Sequence, residues 1–151
     1  MKSLSEIETT SKRATRAAGF SWGVSEEVGK CIRLLELFGL PGIKNLNSYF
    51  NEKKLNNFED LKLIKKENQP QKNTFCPINL GVSFLDQIRT LETFKHCSFK
   101  NIAYPILFLP FLVSVKTAMR LSCAILSLMA LLRSLMQACT AQCCLFELSL
   151  A

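Results

Sequence analysis

Residues 3–42 read SLSEIETTSKRATRAAGFSWGVSEEVGKCIRLLELFGLPG and carry the clearest helical pattern in the chain. Ser3 followed by Glu6 has the form of a capping box, in which each residue satisfies a backbone N–H of the other. Small and apolar residues then recur at helical spacing, and glycine is common just after the last turn of a helix. We therefore expect a first helix over residues 4–18, ended by Gly19.

A second helix is expected between Ser21 and Gly39. The Ser21 side chain can cap its first turn, and Gly39 closes it. Its apolar residues recur at three- and four-residue spacing, which is typical of one buried helix face. This apolar face consists of Val24, Val28, Cys31, Ile32, Leu35 and Phe38. After a Pro-Gly turn we expect a short third helix over residues 43–50, which completes a helical unit over residues 3–50.

The rest of the chain divides into a polar part and an apolar part. Residues 51–75 are rich in Lys and Asn, and we expect them to form a connector with an exposed loop at residues 68–74. Residues 76–121 are expected to form a hydrophobic second unit. In it we expect an extended segment up to Leu109, then a helix with Pro110 in its first turn, where proline is tolerated. The predicted fold class is mainly α: an N-terminal helical hairpin packed with a hydrophobic second helical unit.

Composition excludes several classes of protein and site. The chain has 151 residues, of which 48% are hydrophobic and 21% are charged, and this balance argues against a fully disordered protein. It has a single histidine, His96, which excludes sites built on several histidines. It has no glycine-rich signature for binding nucleotide phosphates. Its seven cysteines are expected to be small buried side chains, so we predict no metal site and no cofactor.

Charge and the N-terminal residues bear on partners and location. The net charge is +7, but basic and acidic residues are interspersed over residues 1–100, as on an ordinary solvated surface. The densest basic stretch, residues 53–72, lacks the interleaved aromatic residues of a single-strand binder, so a nucleic-acid partner is not expected. Glu6 and Glu8 interrupt any apolar run near the N-terminus. No secretory signal is therefore predicted, and the expected location is cytoplasmic.

The apolar last third of the chain leaves a membrane alternative open. A membrane-spanning helix needs about 20 apolar residues. The uncharged runs after residue 101 are shorter than this, because Lys116, Arg120 and Arg133 interrupt them. We therefore expect this part of the chain to be buried core. The alternative is a membrane-associated protein that contacts the bilayer through residues 102–150.

Polar residues around the turn between the first two helices form the candidate binding site. They are Arg13, Arg16, Trp22, Glu26 and Glu27. In one interpretation they form a small pocket, in which the arginines bind a carboxylate or phosphate and a glutamate acts as base or second hydrogen-bond partner. In the other, which we favour, Trp22 is buried in the hairpin core and arginine pairs with glutamate across the turn. The residues expected around the buried indole are Ile7, Ala14 and Ile32. Asp86 is a further candidate, expected to pair with an arginine.

The motif around Trp22 is specific enough to compare with known families. It has the form Ser-Leu-x-Glu, then Ala-Gly-x-x-Trp-Gly-x-x-Glu-Glu-x-Gly, then a leucine-rich helix that ends in Gly-Leu-Pro-Gly. The matching residues are Ser3, Leu4, Glu6, Ala18, Gly19, Trp22, Gly23, Glu26, Glu27, Gly29 and residues 39–42. A weaker match follows at residues 76–81, Asp86 and residues 105–112. On these residues the chain resembles an uncharacterised bacterial family, domain of unknown function 3726, and the resemblance implies no activity.

The end of the chain departs from that family. The resemblance covers about residues 3–120, with a gap in the part rich in Lys and Asn, whereas residues 122–151 lack the pattern of the family, as a frameshifted or truncated reading frame would. We therefore expect residues 1–121 to form a single helical domain. Residues 122–151 are expected to be an apolar tail that an aberrant reading frame would explain.

The sequence itself identifies no function. We expect a non-enzymatic cytoplasmic protein that binds a protein partner or a small ligand. The first alternative is the membrane-associated protein described above. The second is an enzyme with carboxylate chemistry at Glu26, Glu27 or Asp86, although no convergent motif supports it.

Overall fold

The computed structural model describes residues 3–87, 89, 96–118 and 146–149. This part of the chain is mainly helical, as predicted. Its helices are α1 (Leu4–Ala17), α2 (Trp22–Leu37), α3 (Gly42–Lys53), α4 (Pro77–Asp86) and α5 (Pro105–Ala118). Its strands are β1 (Glu67–Asn68), β2 (His96–Phe99) and β3 (Phe146–Ser149). α1 and α2 pack along each other as the predicted hairpin, and α5 packs against α2, α3 and α4.

The hairpin has the helix starts that the sequence predicts. The Glu6 N–H donates to Ser3 Oγ at 3.2 Å, and the Val24 N–H donates to Ser21 Oγ at 3.4 Å. Each contact satisfies one of the backbone donors that the first turn of a helix leaves without an intrahelical partner. The two caps therefore fix the first residue of α1 and of α2.

Two glycines allow helices to pack closely. A Cβ atom at Gly29 would lie 3.0 Å from the Glu8 carbonyl oxygen and 3.3 Å from Lys12 Cβ, so α2 approaches the backbone of α1 here. A Cβ atom at Gly81 would lie 2.3 Å from the Phe111 ring, so this ring packs directly on the backbone of α4. The missing side chains thus set the spacing of α1 and α2, and of α4 and α5.

α5 lies in the core, and every residue from Ile106 to Val113 is buried. A helix that is apolar on all sides needs cover on all sides, and α2, α3 and α4 pack against it. The rings of Phe84, Phe99 and Phe108 meet edge-on with centroids 5.7–6.1 Å apart, which joins α4, β2 and α5. The prediction of a buried core is confirmed for this stretch. Among the described helices, none combines the length and the apolar character needed to cross a bilayer.

The start of α5 corrects one prediction. The extended segment expected up to Leu109 is wrong, because the helix begins at Pro105. Proline is tolerated at this first position because its missing N–H would have no intrahelical partner there. Pro110 consequently lies inside the helix and cannot donate to the carbonyl of Ile106, four residues earlier. The expectation that a proline stands in the first turn of this helix is correct, but the proline is Pro105 and not Pro110.

A three-stranded sheet of order β1-β2-β3 was not predicted from the sequence. β1 pairs with β2 in parallel, and β2 pairs with β3 in antiparallel. The loop expected at residues 68–74 is wrong at its first residue, because Asn68 belongs to β1 and is buried. Asn68 Nδ2 donates to the carbonyls of Lys65, at 2.7 Å, and Ser98, at 3.2 Å, so the buried amide is hydrogen-bonded.

Predictions for the end of the chain fall mostly outside the described residues. Residues 119–145 and 150–151 are not among them. Residues 146–149 form β3, with Phe99 opposite Phe146 and His96 opposite Ser149. The single helical domain over residues 1–121 and the aberrant tail over residues 122–151 stay predictions.

Candidate functional site

One side of the α1–α2 hairpin carries a row of charged residues. Residues four apart on a helix are neighbours on its surface, so Glu8, Lys12 and Arg16 form a row along α1. Arg33 Nη1 lies 3.1 Å from Glu8 Oε2, and Lys12 Nζ binds Glu26 Oε1. We call this surface the hairpin flank, and its members are Glu8, Lys12, Arg16, Trp22, Glu26 and Arg33.

Trp22 lies on the hairpin flank and is 60% exposed. The prediction that its indole is buried against Ile7, Ala14 and Ile32 is therefore wrong. Instead, Lys12 Nζ lies 4.9 Å from the centroid of the indole ring, within range of a cation–π interaction. The ring is thus exposed to solvent but held by a partner from the neighbouring helix.

Phe20 takes the buried position that was expected for Trp22. It is 6% exposed, and Lys53 Nζ from α3 lies 3.5 Å from its ring centroid. Arg16 Nη1 donates to the Phe20 carbonyl at 2.7 Å, which fixes the turn just before α2 begins. Both aromatic residues stand in the turn motif, so composition alone could not decide which ring faces the core.

Two glutamates of α2, Glu26 and Glu27, are paired with lysines. The hydrogen bond from Lys12, and next the charge of Lys12, lower the pKa of Glu26. Glu27 pairs with Lys30 at 2.7 Å, and this hydrogen bond raises the pKa of Lys30. A carboxylate with a lowered pKa is poorly suited to exchange protons near neutral pH. Glu26 is therefore poorly suited to act as a general acid near neutral pH.

The structure brings together some of the predicted site residues and separates others. Lys12 contacts both Trp22 and Glu26 and so joins these two predicted residues. Lys12 was not predicted as a site residue, although its four-residue spacing from Glu8 and Arg16 indicates that the three share one face of α1. Arg13 is exposed, and Glu26 pairs with Lys12 rather than with Arg13 or Arg16. An arginine–glutamate pair does join the two helices, but it is formed by Arg33 and Glu8. Asp86 is exposed at the end of α4 and forms no ion pair with any residue that the structure describes.

Cavities near the hairpin do not gather the predicted residues. A groove of about 260 Å³ between α2 and α5 is lined by Glu27 but not by Arg13, Arg16 or Trp22. Another of about 210 Å³ between α1 and α3 is lined by none of them. Both are smaller than the roughly 300–1,000 Å³ that is usual for small-molecule sites. The candidate site is therefore an exposed surface rather than a cavity.

A buried polar pair was missed from the sequence. Tyr49 Oη and Cys76 Sγ are 3.1 Å apart, and the Asn79 N–H donates to Cys76 Sγ at 3.4 Å at the start of α4. Burial raises the pKa of both the Tyr49 hydroxyl and the Cys76 thiol. Because Tyr49 and Cys76 are almost fully covered, the pair is a packing feature. The three described cysteines, Cys31, Cys76 and Cys97, are all buried, as expected.

A carboxylate holds the loop between β1 and α4. Both oxygens of Glu59 accept backbone hydrogen bonds, from the N–H groups of Gln71, Lys72 and Asn73 at 2.6–2.8 Å. These bonds, that of Asn73 first, lower the pKa of Glu59. Since the contacts join residues more than ten positions apart, no local pattern in the sequence could indicate them.

Comparison with known proteins gives one finding. The model of a family described as "Protein of unknown function (DUF3726)" matches residues 2–76. No curated protein and no solved structure matches the chain. The resemblance predicted for residues 77–120 lies beyond the match and stays a prediction. The sequence pattern of the DUF3726 family thus extends over residues 2–76. These residues comprise the hairpin, α3 and the connector up to α4.

Proposed function

We propose that the chain is a non-enzymatic, cytoplasmic binding protein whose protein partner contacts the hairpin flank at Trp22. The observation that carries the proposal is the 60% exposure of this residue, the sole tryptophan of the chain. Tryptophan is highly buried on average in folded proteins. It is also enriched among the few residues that dominate binding energy in protein interfaces.

The contacts of Trp22 also support this role. Lys12 is shared between the ring and the carboxylate of Glu26, so the free protein already orders this surface. A side chain that is ordered before binding loses less conformational entropy on association. The surface therefore offers an apolar anchor with a polar border, as is common in protein interfaces.

Three other interpretations, an enzyme, a membrane-associated protein and a small-ligand binder, receive less support. An enzyme would use Glu26, Glu27 or Asp86, but the first two are paired with lysines and the third is exposed on α4. A membrane-associated protein would use residues 102–150, of which residues 106–113 pack within the protein. A small ligand at the hairpin would need a larger cavity than the two grooves beside it. A cavity of about 770 Å³ is lined by residues 55–58 and 69–74 and by none of the predicted site residues.

Photo-cross-linking in the cells that carry the gene tests the proposal. A benzoylphenylalanine at position 22 is compared with the same residue at position 63, because Leu63 is also 60% exposed. We expect a discrete protein adduct from position 22 and none of that mass from position 63. An adduct of twice the chain mass would identify a second copy as the partner and would also support the proposal. The same adducts from both positions, or none from position 22, would contradict it.

A further inference from the structure

We infer that the partner presents an acidic segment with an apolar side chain, and that this segment binds the hairpin tip, defined as Arg13, Arg16 and Trp22. This inference rests on the proposed function and adds the chemistry of the partner. It depends on the distribution of charge around the exposed indole, which the proposed function does not use.

The hairpin tip is basic. Residues 9–25, which include the end of α1, the turn and the start of α2, contain three basic residues and no acidic one. Lys12 is neutralised by its ion pair with Glu26. Arg13 and Arg16 are both exposed and in no ion pair with the described residues. Two positive charges are therefore left for an anionic partner.

The charge of Arg16 lies on the same side of α1 as Lys12, which contacts the indole, and the charge of Arg13 lies next to that of Arg16. Arg16 follows Lys12 by four residues, so these two are neighbours on the surface of α1, and Arg13 lies further around the helix, three residues before Arg16. Lys12 is the residue that contacts the Trp22 ring. Arg16 uses one N–H group on the Phe20 carbonyl, and a guanidinium has five such donors, so others are free for carboxylates. α2 carries no acidic residue in its first turn, so its N-terminal end adds positive potential.

The combination of charge and ring selects the kind of partner. Carboxylates alone would satisfy the arginines but would leave the indole exposed to water. An apolar side chain next to acidic residues would cover the indole and pair with the arginines in one contact. A single-stranded nucleic acid is the competing class, but such binders present several stacking rings along a groove, whereas this surface presents one.

Peptide titration of the full chain tests the inference. The probe is a fluorescein-labelled 12-residue peptide of Glu and Asp with one Leu and one Phe, and binding is followed by anisotropy. One comparison peptide has Lys in place of every acidic residue, and another has Ser in place of Leu and Phe. A 12-nucleotide oligothymidine is the fourth probe. A blue shift of Trp22 emission with unlabelled peptide reports binding at the indole itself.

We expect the acidic, apolar peptide to bind most tightly and to weaken as salt is raised. Trp22→Ala should weaken binding on the order of 30-fold, as for a central interface tryptophan. Arg13→Glu should weaken it about tenfold, because it replaces attraction by repulsion. Lys44→Glu on α3 is the matched control, since Lys44 is also an exposed helical base, and it should change affinity by less than about twofold. Circular dichroism of each variant checks that the helices are retained.

Three results would overturn the inference. They are equal or tighter binding of the basic peptide, tighter binding of oligothymidine, and acidic-peptide binding that neither Arg13→Glu nor Trp22→Ala changes. If any of these accompanies a positive cross-link at position 22, the proposed function stands and only the partner chemistry is wrong. If position 22 yields no cross-link, the proposed function itself fails.

Discussion

Alanine at Gly29 should destabilise the protein, whereas alanine at Gly23 should stabilise it. Both glycines lie in α2, and alanine is favoured over glycine by about 0.8–1.0 kcal/mol in the interior of a helix and by less in its first turn, where Gly23 lies. A Cβ atom at Gly23 would have no neighbour within 4 Å, so this gain is realised there. A Cβ atom at Gly29 would lie 3.0 Å from the Glu8 carbonyl oxygen, which belongs to the backbone of α1.

The expected magnitudes follow from these contacts. Forcing extra volume between packed elements costs about 1–3 kcal/mol. After subtraction of the propensity gain, Gly29→Ala should lose about 1 kcal/mol, while Gly23→Ala should gain about 0.5–1 kcal/mol. The two variants should therefore differ by about 2 kcal/mol, or about 4–8 °C in Tm for a chain of this size.

Urea and thermal unfolding of the two variants beside the wild type measure the difference. The slope of the urea transition should be unchanged, so that the midpoints report stability directly. If both variants were stabilised to the same extent, α1 and α2 could not be as close at Gly29 as the structure has them. Lys12 could then not occupy its place on the hairpin flank either, because it lies at the same contact.

Three further predictions concern other parts of the molecule. Trp22 fluorescence should be red-shifted and readily quenched by acrylamide, because the ring is exposed. In urea unfolding, Phe20→Ala should lower the free energy of unfolding by about 3–5 kcal/mol, clearly more than Trp22→Ala does. Glu59→Gln should destabilise the protein at pH 7, because the pKa of Glu59 is lower in the folded than in the unfolded protein. The ionised carboxylate stabilises the fold above the unfolded pKa of about 4.3, and this stabilisation is lost as the pH falls through the folded pKa. The urea midpoints of the variant and the wild type should therefore converge in acid. Gly81→Ala should unfold or strongly destabilise the protein, and a second change, Phe111→Leu, should recover part of the loss in the same assay.

The hairpin was predictable because its signals are local. Ser3 and Ser21 stand at the position where a cap is needed, and Gly19 and Gly39 follow the two helices. Each of these residues acts on a backbone group within a few positions, so spacing alone identifies its role. The buried face of α2 was found in the same way for Val28, Cys31, Ile32 and Leu35. The prediction is wrong for Phe38, which follows the last turn of α2 and is 42% exposed, and Val24 is only half-buried.

Other features depend on contacts between distant residues. Asn68 joins β1 because Ser98 lies beside it, 30 residues away. Phe20 rather than Trp22 is buried, and Lys53 of α3 lies over its ring, a contact that the sequence of the turn does not indicate. At the candidate site the residue types were predicted, but Lys12 was missed because its partners lie on another helix.

The end of the family match does not coincide with a boundary in the packing of the protein. The match ends at Cys76, yet Tyr49 inside it touches Cys76 and stands edge-on to Tyr104, a residue beyond it, with ring centroids 6.0 Å apart. α5 also covers parts of α2 and α3. If residues 2–76 were grafted alone onto another protein, the apolar surface of α2 and α3 that α5 covers would be exposed to solvent. Such a chain would tend to associate through this surface. Residues 2–76 are therefore not an independent structural unit. A protein into which they are grafted must provide apolar side chains that replace the contacts of α5.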